Sequence, residues 1–150
     1  MTTNNRPLPP FQPFVGEWDT EGTMLPASGK SGEHFHATDS YELLPGGHFL
    51  VHRWDAHMPE GRTRGIEIFG RDKHGDDFFM HSYDDLGNAG VMTASVDDEG
   101  WTFLGESMRF HGGFSQAGDM FSGIWEFRLD PEKTWLPWMS VTLKKRGVRR

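Results

Sequence analysis

Phe14-Val15-Gly16-Glu17-Trp18-Asp19-Thr20-Glu21-Gly22-Thr23-Met24 is the stretch on which the reading of the fold turns. In an extended chain side chains alternate faces, so Gly16, Trp18 and Gly22 share one side. One bulky ring beside positions without a side chain suits the crowded floor of a small barrel, where backbone passes close to backbone. On this reading Gly16 answers to a close backbone crossing and Trp18 is core. Ahead of it runs an arm, Met1 to Pro13, in which Pro7, Pro9, Pro10 and Pro13 remove amide donors and keep the chain extended. Leu8, Phe11 and Phe14 are the side chains available there to tuck across a barrel end.

Working outward, turn signals recur at hairpin spacing: Pro26-Ala27-Ser28-Gly29, Pro45-Gly46-Gly47, Pro59-Glu60-Gly61, Asp72-Lys73-His74-Gly75, Asp85-Leu86-Gly87-Asn88, Asp97-Asp98-Glu99-Gly100, Gly112 to Gly118, and Asp130-Pro131-Glu132-Lys133. Eight separators make nine segments, and a tenth arises if Trp101 to His111 folds back near Gly105. The segments are rich in Thr, Val, Ile and aromatic residues, and none sustains a 3.6-residue apolar stripe. The fold class is therefore all-β, a single up-and-down antiparallel β-barrel of about nine to ten strands, because closure removes exposed sheet edges. The divisions are an arm over 1–13, a barrel over 14–145 and a basic tail over 146–150.

Alternation orients the strands. Phe121, Gly123, Trp125, Phe127 and Leu129 share one face of the ninth, opposite Ser122, Glu126 and Arg128. Phe35, Ala37, Tyr41 and Leu43 share a face of the second, leaving His34, His36 and Glu42 outward. In the third, His48, Leu50, His52, Trp54 and Ala56 oppose Phe49, Val51, Arg53, Asp55 and His57. Either face brings a polar group inside, as a cavity lining does.

The 150 residues have no cysteine, so disulfides, thiolate metal sites and a cysteine nucleophile are excluded, and the composition suits a reducing cytoplasm. No run approaches the roughly 20 apolar residues of a membrane span, and the polar start lacks a secretory signal's apolar run. Net charge is −7, yet five of the 15 basic residues fall in the last seven positions, which hold no acid. The preceding residues carry the other 10 bases against 22 acids, or −12. Such a body repels phosphate backbones, which argues against nucleic acid as partner.

Gly16-Glu17-Trp18 with Gly22, then Leu44-Pro45-Gly46-Gly47-His48-Phe49-Leu50, and the closing Met139-Ser140-Val141-Thr142-Leu143-Lys144-Lys145 together resemble the lipocalin-like (calycin) families of bacteria. The resemblance spans nearly the whole chain and extends more distantly to nitrobindin, a ten-stranded haem-binding barrel. Nitrobindin's opening has Gly-x-Trp-x-Gly-x-Gly, where Thr20 here replaces the middle glycine. That family ligates iron through a histidine on its last strand; here no histidine follows His111, and the position falls at or beside Trp138. The resemblance thus implies a ligand-binding barrel, and the departure implies one without haem as cofactor.

Of eight histidines, His34-x-His36 and His48-x3-His52 have spacings that could chelate zinc or copper if His81, Glu67 or Asp84 converged. Solvated surface histidines are the simpler reading. His52, His81, Glu67 and Asp84 are the acid–base candidates, but no nucleophile elbow or Walker loop accompanies them. The expected function is binding of a small apolar or amphipathic molecule by Tyr41, His52, Trp54, Glu67, His81, Trp125 and Phe127. Protonated His52 would anchor fatty or aromatic acids beside Trp54. A nitrobindin-type haem protein or small-molecule enzyme is the first alternative. The second is a scaffold, such as a homodimer joined through a strand face.

Overall fold

The computed structural model describes residues 7–147. Ten strands follow in order: β1 (Gly16–Met24), β2 (His34–Leu43), β3 (Leu50–Met58), β4 (Gly61–Arg71), β5 (Phe78–Asp84), β6 (Ala89–Asp97), β7 (Gly100–Leu104), β8 (Met108–Phe114), β9 (Met120–Phe127) and β10 (Leu136–Lys145). Each pairs antiparallel with its sequence neighbours, and β10 closes on β1, so the meander is a closed barrel. The chain does fold back at Gly105, where the Gly105 amide donates to the Met108 carbonyl between β7 and β8. No helix among the described residues is long and apolar enough to cross a membrane.

Register places one parity of each strand inside, switched once in β10 where the pairing shifts between Pro137 and Met139. Trp18 faces Asp39 across β1 and β2, Tyr41 faces His52 across β2 and β3, and His52 faces Glu67 across β3 and β4. The third strand's ambiguity is resolved by this pairing: Leu50, His52, Trp54 and Ala56 are inside. One expectation for β9 fails, because the strand ends at Phe127 and Leu129 lies beyond it, 81% exposed.

Ten strands enclose more space than wall side chains of ordinary size fill. Large rings and the arm supply the difference. Phe11 and Phe14 are buried at one barrel end, Phe14 within a 3-10 turn over Gln12–Phe14, whereas Leu8 stays exposed. Phe14 packs against Tyr41, Trp101, Phe114 and Phe121, and Phe11 against Phe69, Phe78 and Trp101. Trp18 fixes this plug by donating its indole N–H to the Phe14 carbonyl at 2.8 Å. Burial of such rings is worth about 1.5–3 kcal/mol each. They hold the arm against its entropy.

The glycines of the opening stretch act differently from expectation. At Gly16 the backbone has φ +137°, a region that disfavours any side chain, and the nearest obstacle is the flexible end of Lys145 rather than a backbone. Close approach instead governs Gly22, where an added Cβ would fall within the ring of Phe35, its partner on β2. An aromatic ring laid over a cross-strand glycine fills the space the glycine leaves.

Candidate functional site

At the plugged end the inner face is sealed: Trp18, Tyr41, Leu50, Phe69, Phe78, Met80, Trp101, Phe110 and Phe121 are all buried. Towards the other end the inward residues of β3, β4, β5, β6 and β9 are only half-buried, namely Trp54, Glu67, Ser82, Met92, Trp125 and Phe127. Inward side chains of a solid barrel would be closed to water. Solvent reaches these side chains in part, whereas Met24, Phe35, Ala37 and Ala56, inward at the same end, are buried, so this half is open only on the side of β3 to β6 and β9.

A polar cluster sits where the two halves meet. His52 is 8% exposed and lies between two carboxylates, with Nε2 2.6 Å from Asp39 Oδ1 and Nδ1 2.8 Å from Glu67 Oε1. Carboxylates accept only, so both ring nitrogens donate and the ring is an imidazolium. Burial pushes the imidazole pKa down, but the hydrogen bonds to Asp39 and Glu67, and then their charges, outweigh it and lift it to about 9. The second oxygen of Asp39 accepts from the Thr20 hydroxyl. Burial, and then the charges of Asp39 and Glu67, hold the Tyr41 phenol well above its usual 10.0. It stays neutral.

Of the expected binding residues, the structure brings together Tyr41, His52, Trp54 and Glu67. The Trp54 ring centroid is 6.0 Å from that of His52, and the indole N–H points to Thr63 Oγ1 at 3.4 Å. Trp125 and Phe127 also face inward, across the barrel on β9, where Trp125 packs on Phe103 and Phe110 and Phe127 on Trp138. His81 does not join them. It pairs with Ile68 and Val91 on the opposite parity, so it lies on the outer face beside Phe79. Asp84 is tied into its own turn by Leu86, Asn88 and the Asn88 side chain.

Sequence reasoning missed Asp39 and Thr20. Both were detectable, since Asp39 fills the gap in the Phe35, Ala37, Tyr41, Leu43 series and Thr20 lies between Trp18 and Gly22.

Haem, as the nitrobindin resemblance implies, does not suit these residues. His52, the one histidine of the inner face among the described residues, has both nitrogens committed to carboxylates. Trp138, an indole without iron-binding capacity, occupies an irregularity of β10 between Pro137 and Met139. Among the described residues no group of three or more histidines or carboxylates is placed to hold a metal ion. His34 and His36 are outward, and His36 stacks on His57 at 4.7 Å.

The outer surface also carries concavities. A groove of about 650 Å³ runs over β2, β1, β10 and β9, lined by Glu21, His34, His36, Ser140, Thr142 and Lys144. A smaller one, about 200 Å³, lies among Glu17, Ser40, Arg53, Asp55 and Arg146.

A family model described as a protein of unknown function matches residues 9–114, which include the plug, the whole Asp39–His52–Glu67 cluster and eight of the ten strands. The chain belongs to the DUF1579 family. No curated protein matches this DUF1579 chain. Thirteen chains of solved structures do. They include a de novo designed fluorescence-activating β-barrel, 11% identical, with 90% of this chain and 95% of that chain covered and a TM-score of 0.49.

Proposed function

We propose that this DUF1579 protein binds a small amphipathic molecule in the open half of a calycin-like barrel, in the cytoplasm. The observation that carries the reading is the contrast between the two halves of the inner face. Polar and aromatic side chains of the open half stay accessible although they point inward, and the cluster of His52, Asp39 and Glu67 forms a fixed polar floor beneath them.

An apolar tail would lie against Trp54, Met92, Trp125 and Phe127. Each buried methylene contributes about 0.8 kcal/mol, so eight carbons supply ~6 kcal/mol before the cost of association. Affinity is then micromolar at best. A tail that displaces water from half-buried Trp54 and Trp125 shifts their fluorescence to the blue. Titration with 1-octanol should give such a saturable shift, and Gly90→Leu, which fills the wall of the open half, should abolish it. Unchanged emission across the titration would sink the reading.

A further inference from the structure

Every side-chain nitrogen or oxygen sealed from solvent among the described residues has a hydrogen-bond partner. Three inner-face oxygens have none among those residues: Glu67 Oε2 and the hydroxyls of Tyr41 and Ser82. None of the three is therefore wholly buried, although Tyr41 is only 8% exposed and the Glu67 side chain 15%. The wall beside Glu67 is cut back. Glu67 pairs with Ser82 on β5, and Ser82 pairs with Gly90 on β6, so two small residues follow the carboxylate at one level of the barrel. A Cβ at Gly90 would already stand 2.9 Å from the Ser82 hydroxyl. One step along the strands Trp54 lies across Gly65, the β4 residue it pairs with, and its indole N–H points to Thr63.

The charge of this niche has one sign. His52 spends both its protons on Asp39 and Glu67, which leaves it no donor for a ligand carboxylate and ends its expected role as an anchor for acids. An imidazolium between two carboxylates retains one excess negative charge. The inward cations among the described residues, Lys145 over Trp18 and Arg71 over Phe78, belong to the plugged end. The acidic body reinforces the sign at longer range.

We propose that the open half selects a protonated primary amine bearing an apolar tail, with its ammonium on Glu67 Oε2 and the Ser82 hydroxyl and its first carbons against Trp54. An ammonium has three donors and no acceptor, which matches a site that offers acceptors. The indole face adds attraction for a cation. The proposal rests on the binding reading above, and the test separates the two.

Octylamine, 1-octanol and octanoate share a tail and differ in the head. Calorimetric titration of each into the full-length protein at pH 7 should rank the amine at least tenfold above the alcohol and the acid weakest. Glu67→Gln, which can still pair with His52, should bring the amine down to the level of the alcohol. Ser82→Ala, which leaves the contacts of His52 with Asp39 and Glu67 in place, should weaken the amine more than the alcohol, and serves if Glu67→Gln does not fold. Octanoate binding as well as octylamine, or an amine preference that survives both substitutions, would overturn the amine proposal while leaving the binding barrel standing. Failure of all three ligands to bind would overturn both.

Discussion

Tyr41 and His52, paired directly across β2 and β3, lie face to face with ring centroids 4.2 Å apart and planes within 1° of parallel. Phe14 of the plug covers the other side of Tyr41 at 5.3 Å. The plug, the phenol and the imidazolium thus form one stack from the sealed barrel end to the floor of the open half. A cation on an aromatic face is favoured, so the stack and the two carboxylates hold the same protonation state of His52.

That state makes stability depend on pH. His52 has a folded pKa of about 9 against 6.5 unfolded, so folding favours its proton. The contribution, of order 3 kcal/mol, is complete below pH 6.5, declines above it and is gone once pH has risen through 9. Urea unfolding at pH 6 and pH 9.5 should show this loss in the wild type and not in His52→Gln. Equal wild-type stability at the two values would contradict the imidazolium.

Removing the imidazole altogether exposes the other side of the same balance. His52→Leu leaves buried Asp39 and half-buried Glu67 without their cation, a change that costs about 3–5 kcal/mol. Thr20→Val removes one hydrogen bond to Asp39 and should cost only about 1–2 kcal/mol. Thermal denaturation would rank the two, and the reverse order would show that Thr20 rather than His52 holds the cluster.

The plug should behave as core, not as an arm. Trp18→Ala removes a buried ring and frees the Phe14 carbonyl, and should cost about 3–5 kcal/mol. Phe14→Ala should cost a similar amount despite lying outside every strand. Melting of either variant at the wild-type temperature would remove the plug from the account.

Gly22 and Phe35 give a test by coupling. Gly22→Ala drives a methyl into the Phe35 ring and should destabilise by about 1–3 kcal/mol. Combined with Phe35→Leu, the penalty of the alanine should shrink, which a double-mutant cycle reads directly. Strict additivity would show that the ring does not occupy the glycine's space.

The meander was legible because turn residues punctuate it and alternation persists along β2 and β9. Its tenth strand was legible only as a conditional fold at Gly105, since one glycine does not distinguish a turn from a bend. The inward side of β3 was not legible from β3 alone, because His52 inside and Arg53 outside break polarity on both faces. It takes the register against Tyr41 and Glu67 to decide. His52, Tyr41, Trp54 and Glu67 share the inner face that alternation and register give them, while Asp39 as the second partner of His52 was not legible. A single strand cannot reveal that a histidine's two nitrogens are claimed by carboxylates from both neighbouring strands. His81 was misplaced because it was taken for its chemistry without its parity, which Phe78 and Met80 on the inner face set.

On the proposed reading, ligand enters the barrel beside Glu67 rather than resting on the outer groove of β1 and β10. Nuclear magnetic resonance of isotope-labelled protein during octylamine titration tests this most directly. Ligand inside the barrel should give saturable shifts at the Trp54 indole N–H, Ser82, Gly90 and the Glu67 carboxyl carbon. Shifts confined to Glu21, His36, Thr142 and Lys144, or none at all, would contradict it.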